Sequence, residues 1–250
     1  MMRTADPSLP APWIDAPPEP LRIALIHATR LAIEPVREAF ERGWPEARCF
    51  NLLEDSLPGD RARLPDRAPV LTERFVALSR YARTAGASAI LYTCSAFGPE
   101  IEAAREAVAL PTLKPNEAMF VEALTIGRRI GLLATFKPSI APMRDELVAM
   151  ARKRGLEIEV RTVWVDHAFA ALDRGDLVAH DTAIAEAARR LSGIDVVLLA
   201  QFSMARARAL VQQSVAVPVL ASPDSAVRRL RELLLPAAPP PPSGAPTLAL

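Results

Sequence analysis

Displacing the chain along itself by 107 residues superposes three separated stretches at once. Ile23 falls on Ile130, so RIALIHAT overlies RIGLLATF. Cys94 falls on Gln201, so ILYTC overlies VLLAQ. Pro111 falls on Pro218, so LPTLKPNEA overlies VPVLASPDSA. One offset that satisfies three anchors describes a duplicated unit of about a hundred residues, too long for a solenoid repeat and suited to a small lobe. Within each copy short apolar runs alternate with longer amphipathic ones, as strands and helices do around a parallel sheet. Strands are expected at 22–28, 88–93, 111–114, 129–135, 157–163, 195–200 and 218–221. Helices are expected at 71–86, 100–108, 116–127, 139–154, 176–192 and 224–234.

The expected fold class is therefore α/β. Two similar Rossmann-like lobes with parallel sheets are related by a pseudo-two-fold, with a cleft between them. Residues 21–115 together with 215–234 are expected to form the first lobe and 116–214 the second. Residues 1–20 and 235–250 are proline-rich and bury little, so both are expected to be disordered tails. In open parallel sheets ligands bind beyond the carboxyl ends of the strands, so the loops at those ends are where chemistry is sought.

Composition removes several function classes. Thirty basic residues stand against twenty-nine acidic ones, which leaves no net field to recruit nucleic acid or an anionic membrane. No apolar window is long enough to span a bilayer, and the first twenty residues lack the apolar core of a signal peptide. Two cysteines, Cys49 and Cys94, are too few for a disulfide framework, so a reducing cytoplasm is expected. Neither has zinc-ligand spacing, and no HExxH or carboxylate cluster predicts a metal. Ten glycines form no P-loop and no dinucleotide fingerprint, and no Gly-x-Ser-x-Gly elbow is present. The expectation is no metal and no cofactor.

The stretch AILYTCSAFGPE, residues 89–100, carries the most chemistry. It begins as a buried strand, passes through Thr93, Cys94 and Ser95, and enters a helix at Gly98-Pro99-Glu100, with proline suited to the first helical turn. Unpaired N–H groups at a helix start favour a thiolate, so a lowered Cys94 pKa is expected. Thr93 and Ser95 offer hydroxyls to a substrate carboxylate. Cys49, in EARCFNLL, reads as a packing residue. Glu117 and Asp224 read as helix caps, and His167 and His180 as structural or surface histidines.

ILYTCSAFGPEIEAA, the LPTLKPNEA segment after it, and RIGLLAT at the start of the second copy resemble the aspartate/glutamate/hydantoin racemase superfamily. The resemblance covers about residues 21–232. It implies two similar α/β lobes, no cofactor, and usually one cysteine from each lobe facing the substrate. By that resemblance Cys94 matches the first-lobe catalytic cysteine, and Thr93 and Ser95 its carboxylate-binding neighbours. Thr135 matches a threonine common after the first strand of the second lobe. His27 stands where amino-acid racemases of the superfamily have an aspartate, and is a candidate second acid/base. Gln201 stands where the second cysteine belongs, and an amide neither ionises near neutrality nor delivers protons.

The expected activity is a cofactor-independent racemase or isomerase reaction: Cys94-mediated proton transfer at a carbon α to a carboxylate or carbonyl of a small acid. Thr93, Ser95, Asn116, Thr135, Gln201 and Ser203 are expected to hold that acid. Two alternatives stand beside it. One is a decarboxylase or other lyase using the same thiol, and the other a small-carboxylate binding or sensing protein without turnover. Self-association through an apolar helix face is compatible with the pattern.

Overall fold

The computed structural model of the chain describes residues 21–63 and 68–235. Residues 1–20 and 236–250, for which disordered tails are expected, lie outside the described residues. Strands β1 (Arg22–His27), β2 (Arg48–Leu53), β3 (Ala89–Tyr92) and β4 (Thr112–Leu113) form one sheet in the order β2-β1-β3-β4. Strands β5 (Arg129–Ala134), β6 (Glu159–Trp164), β7 (Val196–Leu199) and β8 (Val219–Ala221) form a second, in the order β6-β5-β7-β8. Every pairing is parallel. The central registers repeat: Ile23 lies against Ala89 and Ile130 against Val196, and both pairs are 66 residues apart.

Seven strands sit where the apolar runs place them, and β2 is the one the sequence reading omits. Its residues RCFNLL alternate between exposed and half-buried, because an edge strand has one solvated side and needs no continuous apolar run. The repeat also slips there: Arg48 and Glu159 begin equivalent strands 111 residues apart, four more than elsewhere. Cys49 is on this edge and is exposed, which corrects its reading as a packing residue. By contrast β3 (AILY) and β7 (VVLL) are buried at every position, as parallel strands with both faces covered must be.

The helices are α1 (Ile33–Gly43), α2 (Leu57–Arg63), α3 (Ala68–Thr84), α4 (Gly98–Ala107), α5 (Glu117–Ile126), α6 (Ile140–Lys153), α7 (Asp166–Asp173), α8 (Leu177–Ala188), α9 (Arg208–Ser214) and α10 (Ser222–Leu234). Two of them lock the lobes together. Helix α5 leaves the first sheet and buries Met119, Phe120, Ala123 and Leu124 in the core of the second lobe. Helix α10 leaves the second sheet and buries Ala226, Val227 and Leu230 in the core of the first. Phe202, from the loop after β7, also enters the first-lobe core. Each fully buried side chain of this size contributes about 1.5–3 kcal/mol, so the exchange joins the lobes strongly. Strand β8 pairs with β7, so residues 215–221 belong to the second sheet, and the expected return to the first lobe at 215 is corrected to α10.

The start of the second lobe depends on one glycine. The Asp195 carboxylate accepts from the backbone N–H groups of Arg128 and Arg129, both at 2.9 Å, and pairs with the Arg129 guanidinium. A Cβ at Gly127 would fall 2.2 Å from the Asp195 Cβ, which is too close to the backbone for a side-chain rotation to relieve. Gly127→Ala should therefore lower unfolding free energy by about 1–3 kcal/mol in urea titrations followed by circular dichroism. Gly59→Ala, in α2 with nothing within 4 Å, should leave stability unchanged or raise it by about 0.5–1 kcal/mol.

Candidate active site

Parallel strands deliver their carboxyl ends to a common edge, and the loops after β1, β3, β5 and β7 meet across a cavity of about 600 Å³. Thr93, Cys94, Ser95 and Asn116 line it from the first lobe, and Thr135, Gln201 and Ser203 from the second. Seven of the eight residues expected at the site therefore share one wall-to-wall space. A larger concavity of about 870 Å³ lies beside β4, α5 and α10. It holds no thiol, and its Arg105 and Arg228 are paired with Glu117 and Glu122. The cleft, not this concavity, gathers the residues that the sequence singles out.

His27 is the eighth residue, and the structure corrects its placement. Its side chain is fully buried and does not line the cavity. It stands behind Thr93, with Nδ1 2.9 Å from Thr93 Oγ1 and Nε2 2.9 Å from Asn51 Oδ1. The Asn51 oxygen requires a hydrogen on Nε2, so Nδ1 accepts from the Thr93 hydroxyl. Burial holds the His27 pKa below its ordinary value, against a smaller opposing pull from Asn51. A neutral imidazole there orients Thr93, and Asn51, on the unexpected strand β2, completes the chain.

Cys94 is half-buried in the cavity wall. Burial pushes its thiol pKa up, while the Ala96 backbone N–H and the Arg61 charge pull the other way. The expectation of a lowered pKa is thus corrected. The apolar surroundings outweigh the helix start, because α4 begins four residues beyond the sulfur and a helix end acts only within about a turn. Near neutrality this group is therefore a protonated thiol.

Across the cleft Gln201 is tethered within its own lobe. Its Oε1 accepts from the Thr135 backbone N–H at 2.9 Å, and its Nε2 donates to Ser139 Oγ at 2.7 Å. That leaves one amide hydrogen for a ligand. Asn116 is held in a similar way: its Oδ1 accepts from the buried Ser222 hydroxyl, while its buried Nδ2 has no hydrogen-bond partner. An orphaned donor in a cavity wall is a place where a ligand acceptor fits.

Sequence reasoning missed Arg61, Glu100, Phe136 and Phe169. Arg61, on α2, reaches the cavity and donates to Glu100 at 2.7 Å, with its guanidinium 5.2 Å from the Phe97 ring. Glu100 is 2% exposed. In the sequence it reads only as an acid in a helix first turn, a common dipole partner that signals nothing about a cleft. Glu117 and Asp224, read as caps, spend their carboxylates on Arg105 and Arg42. His167 is exposed beside Asp166, and His180 is buried on Asp181. Among the described residues no group of three ligating side chains could hold a metal, and no helix is long and apolar enough to cross a membrane.

Two outcomes follow from these charges. In a Cys49→Ser background the pH midpoint for Cys94 alkylation should lie above that of a free thiol, and Arg61→Gln should move it higher, because a cation favouring thiolate is lost. A midpoint unchanged by Arg61→Gln would show that the guanidinium does not reach the sulfur. His27 is neutral in folded and unfolded chains above its ordinary value of 6.5 and contributes nothing there. Below it the unfolded chain takes the proton first, so stability falls with pH until the lower folded value is reached. Urea midpoints should decline below about pH 6.5, and His27→Gln should reduce that decline.

The Asp/Glu/Hydantoin racemase family model matches residues 45–230. Among solved structures the chain is similar to allantoin racemase from Pseudomonas fluorescens, at 18% identity and TM-score 0.65, covering 85% of this chain and 90% of that one. It is similar to an aspartate racemase homologue from Pyrococcus horikoshii, at 20% identity and TM-score 0.62, covering 85% and 98%. A mutant of arylmalonate decarboxylase matches at 20% identity and TM-score 0.58, covering 84% and 92%. A search of curated protein sequences found no match. At these identities the solved structures establish the shared two-lobed fold, while the family match spans most of the chain and both halves of the cleft. The chain belongs to the Asp/Glu/hydantoin racemase family and is an enzyme of racemase type.

Proposed function

We propose that the cleft transfers a proton at the carbon α to a carboxylate of a small acid, with Cys94 as the acid/base. The observation that carries this reading is the lone ionisable sulfur in the wall of a cavity between the lobes, flanked by hydroxyl and amide donors. Ser95 and the unpartnered Nδ2 of Asn116 hold the carboxylate, beside Thr93, whose one hydroxyl hydrogen is spent on His27. The Arg61 N–H groups that Glu100 leaves over stabilise its charge further. As the α-hydrogen leaves, charge moves into the carboxylate, and fixed donors that bind this enediolate more strongly than the ground state lower the barrier.

Cys94 serves one face only. Its raised pKa favours the thiol form, so the step it performs best is delivery of a proton to a carbanionic α-carbon, and the reverse step regenerates the thiol. Gln201 cannot complete the opposite face, so deuterium enters the α-position faster than the centre inverts. Gln201 positions the acid through its remaining amide hydrogen and keeps Thr135 and Ser139 in place. Two unpaired cysteines suit a reducing cytoplasm.

The test is NMR in deuterated water with a panel of small acids, followed by chiral chromatography. Exchange of the α-hydrogen is expected to outpace inversion, and Cys94→Ser should reduce it by about 10²–10⁴-fold. Gln201→Cys should raise inversion relative to exchange, at about 1–2 kcal/mol of stability for the two lost hydrogen bonds. Undiminished exchange in Cys94→Ser would overturn the reading. Loss of carbon dioxide from a diacid without exchange in its monoacid would assign a lyase instead.

A further inference from the structure

The cavity carries a charge pattern that reaches past the reaction type to the substrate. Among the described residues Arg61 is the only charged one that lines it, and none of those lining residues is an aspartate or a glutamate. The nearest buried carboxylate, Glu100, does not line the cavity and is already held by Arg61. An ammonium group brought into this space would leave water for hydroxyls and amides alone, an unfavourable desolvation without a paired anion. The unpartnered Asn116 Nδ2 and the Arg61 N–H groups that Glu100 leaves over ask for an anion.

The second-lobe rim makes a complementary demand. Phe136 and Phe169 stand 6.0 Å apart, ring to ring, and remain 42% and 40% exposed although they line a concave site. Pro138 and Pro142 lie beside them. Neither ring is needed to close the second core, since neither belongs to its cluster of buried residues. A ring seated on the pair would remove apolar surface from water on both partners, which favours its binding.

We infer that the substrate is an acid without an ammonium group, its carboxylate on the Asn116 and Arg61 side and a bulky, ring-bearing substituent on Phe136 and Phe169. This rests on the cleft being the site of α-proton transfer and adds to it what the cleft selects. Free zwitterionic amino acids are disfavoured because no described lining residue offers a counter-anion, and short acids because they leave the ring pair uncovered.

Three probes separate these terms in calorimetric titrations of the full chain carrying Cys94→Ser. 2-Methyl-3-phenylpropionate and phenylalanine differ by a methyl in place of an ammonium, and isobutyrate lacks the ring. 2-Methyl-3-phenylpropionate should bind at least tenfold more tightly than either. Phe136→Ala and Phe169→Ala, both at exposed positions, should narrow its advantage over isobutyrate by about threefold or more and leave its advantage over phenylalanine intact. Phenylalanine binding as tightly as its methyl counterpart, or an advantage over isobutyrate that survives both alanine variants, would overturn the inference. A separate exchange measurement with unmodified protein isolates the underlying reading. If 2-methyl-3-phenylpropionate binds as stated but Cys94-dependent exchange occurs with no acid, the proton-transfer reading fails. If exchange occurs but the binding order reverses, the substrate class fails alone.

Discussion

Parallel pairing within each sheet is the constraint from which the site follows. A parallel ladder sends every strand in one direction, so the loops after β1 and β3 emerge together, as do those after β5 and β7. One polar loop at a strand end is an ordinary connection. Four of them on facing edges make a space walled by groups that a sheet interior would never accept. The catalytic question therefore reduces to which side chains the strand ends carry and what holds them.

What holds them is asymmetric between the lobes, despite the repeated topology. At the first lobe a buried imidazole supports Thr93 from behind, and Cys94 beside it is free to act. At the second, the glutamine at the equivalent position turns its carbonyl to the Thr135 backbone and its amide to Ser139. Where the family resemblance implies an ionisable group, this chain carries one that cross-links its own loop. On the proposed reading this makes the proton chemistry one-sided.

The swapped helices explain how two small lobes keep such a cleft in register. Because α5 and α10 each cross to the opposite core, moving one lobe against the other would expose Phe120 and Leu124 on one side and Val227 and Leu230 on the other. Asn116 and Ser222, at the starts of these two helices, meet in a buried hydrogen bond beside the cavity. The same crossing thus joins the lobes and sets Asn116, with its unpartnered Nδ2, in the cavity wall.

Much of this was legible in the residues. Continuous apolar runs located the central strands, because a strand covered on both faces must be apolar throughout. The offset of 107 showed the duplication, and with it that Cys94 and Gln201 occupy equivalent strand ends. Strand β2 and helix α2 stayed hidden, since an edge strand and a seven-residue helix place too few residues in the core to leave a periodic signature. With them were hidden Asn51 and Arg61, and so the true role of His27, which ends a central strand but faces another side chain rather than the cleft. The thiol pKa was beyond the sequence for a related reason: helix proximity can be read along the chain, but desolvation depends on neighbours brought from elsewhere. The sequence by itself determined the architecture, the repeat and the identity of the single cleft thiol, because local pattern encodes which faces are buried. Only the tertiary structure decided which polar groups meet, that Arg61 reaches the cavity, and that two phenylalanines from different elements form one surface, because those are contacts between residues that no local pattern relates.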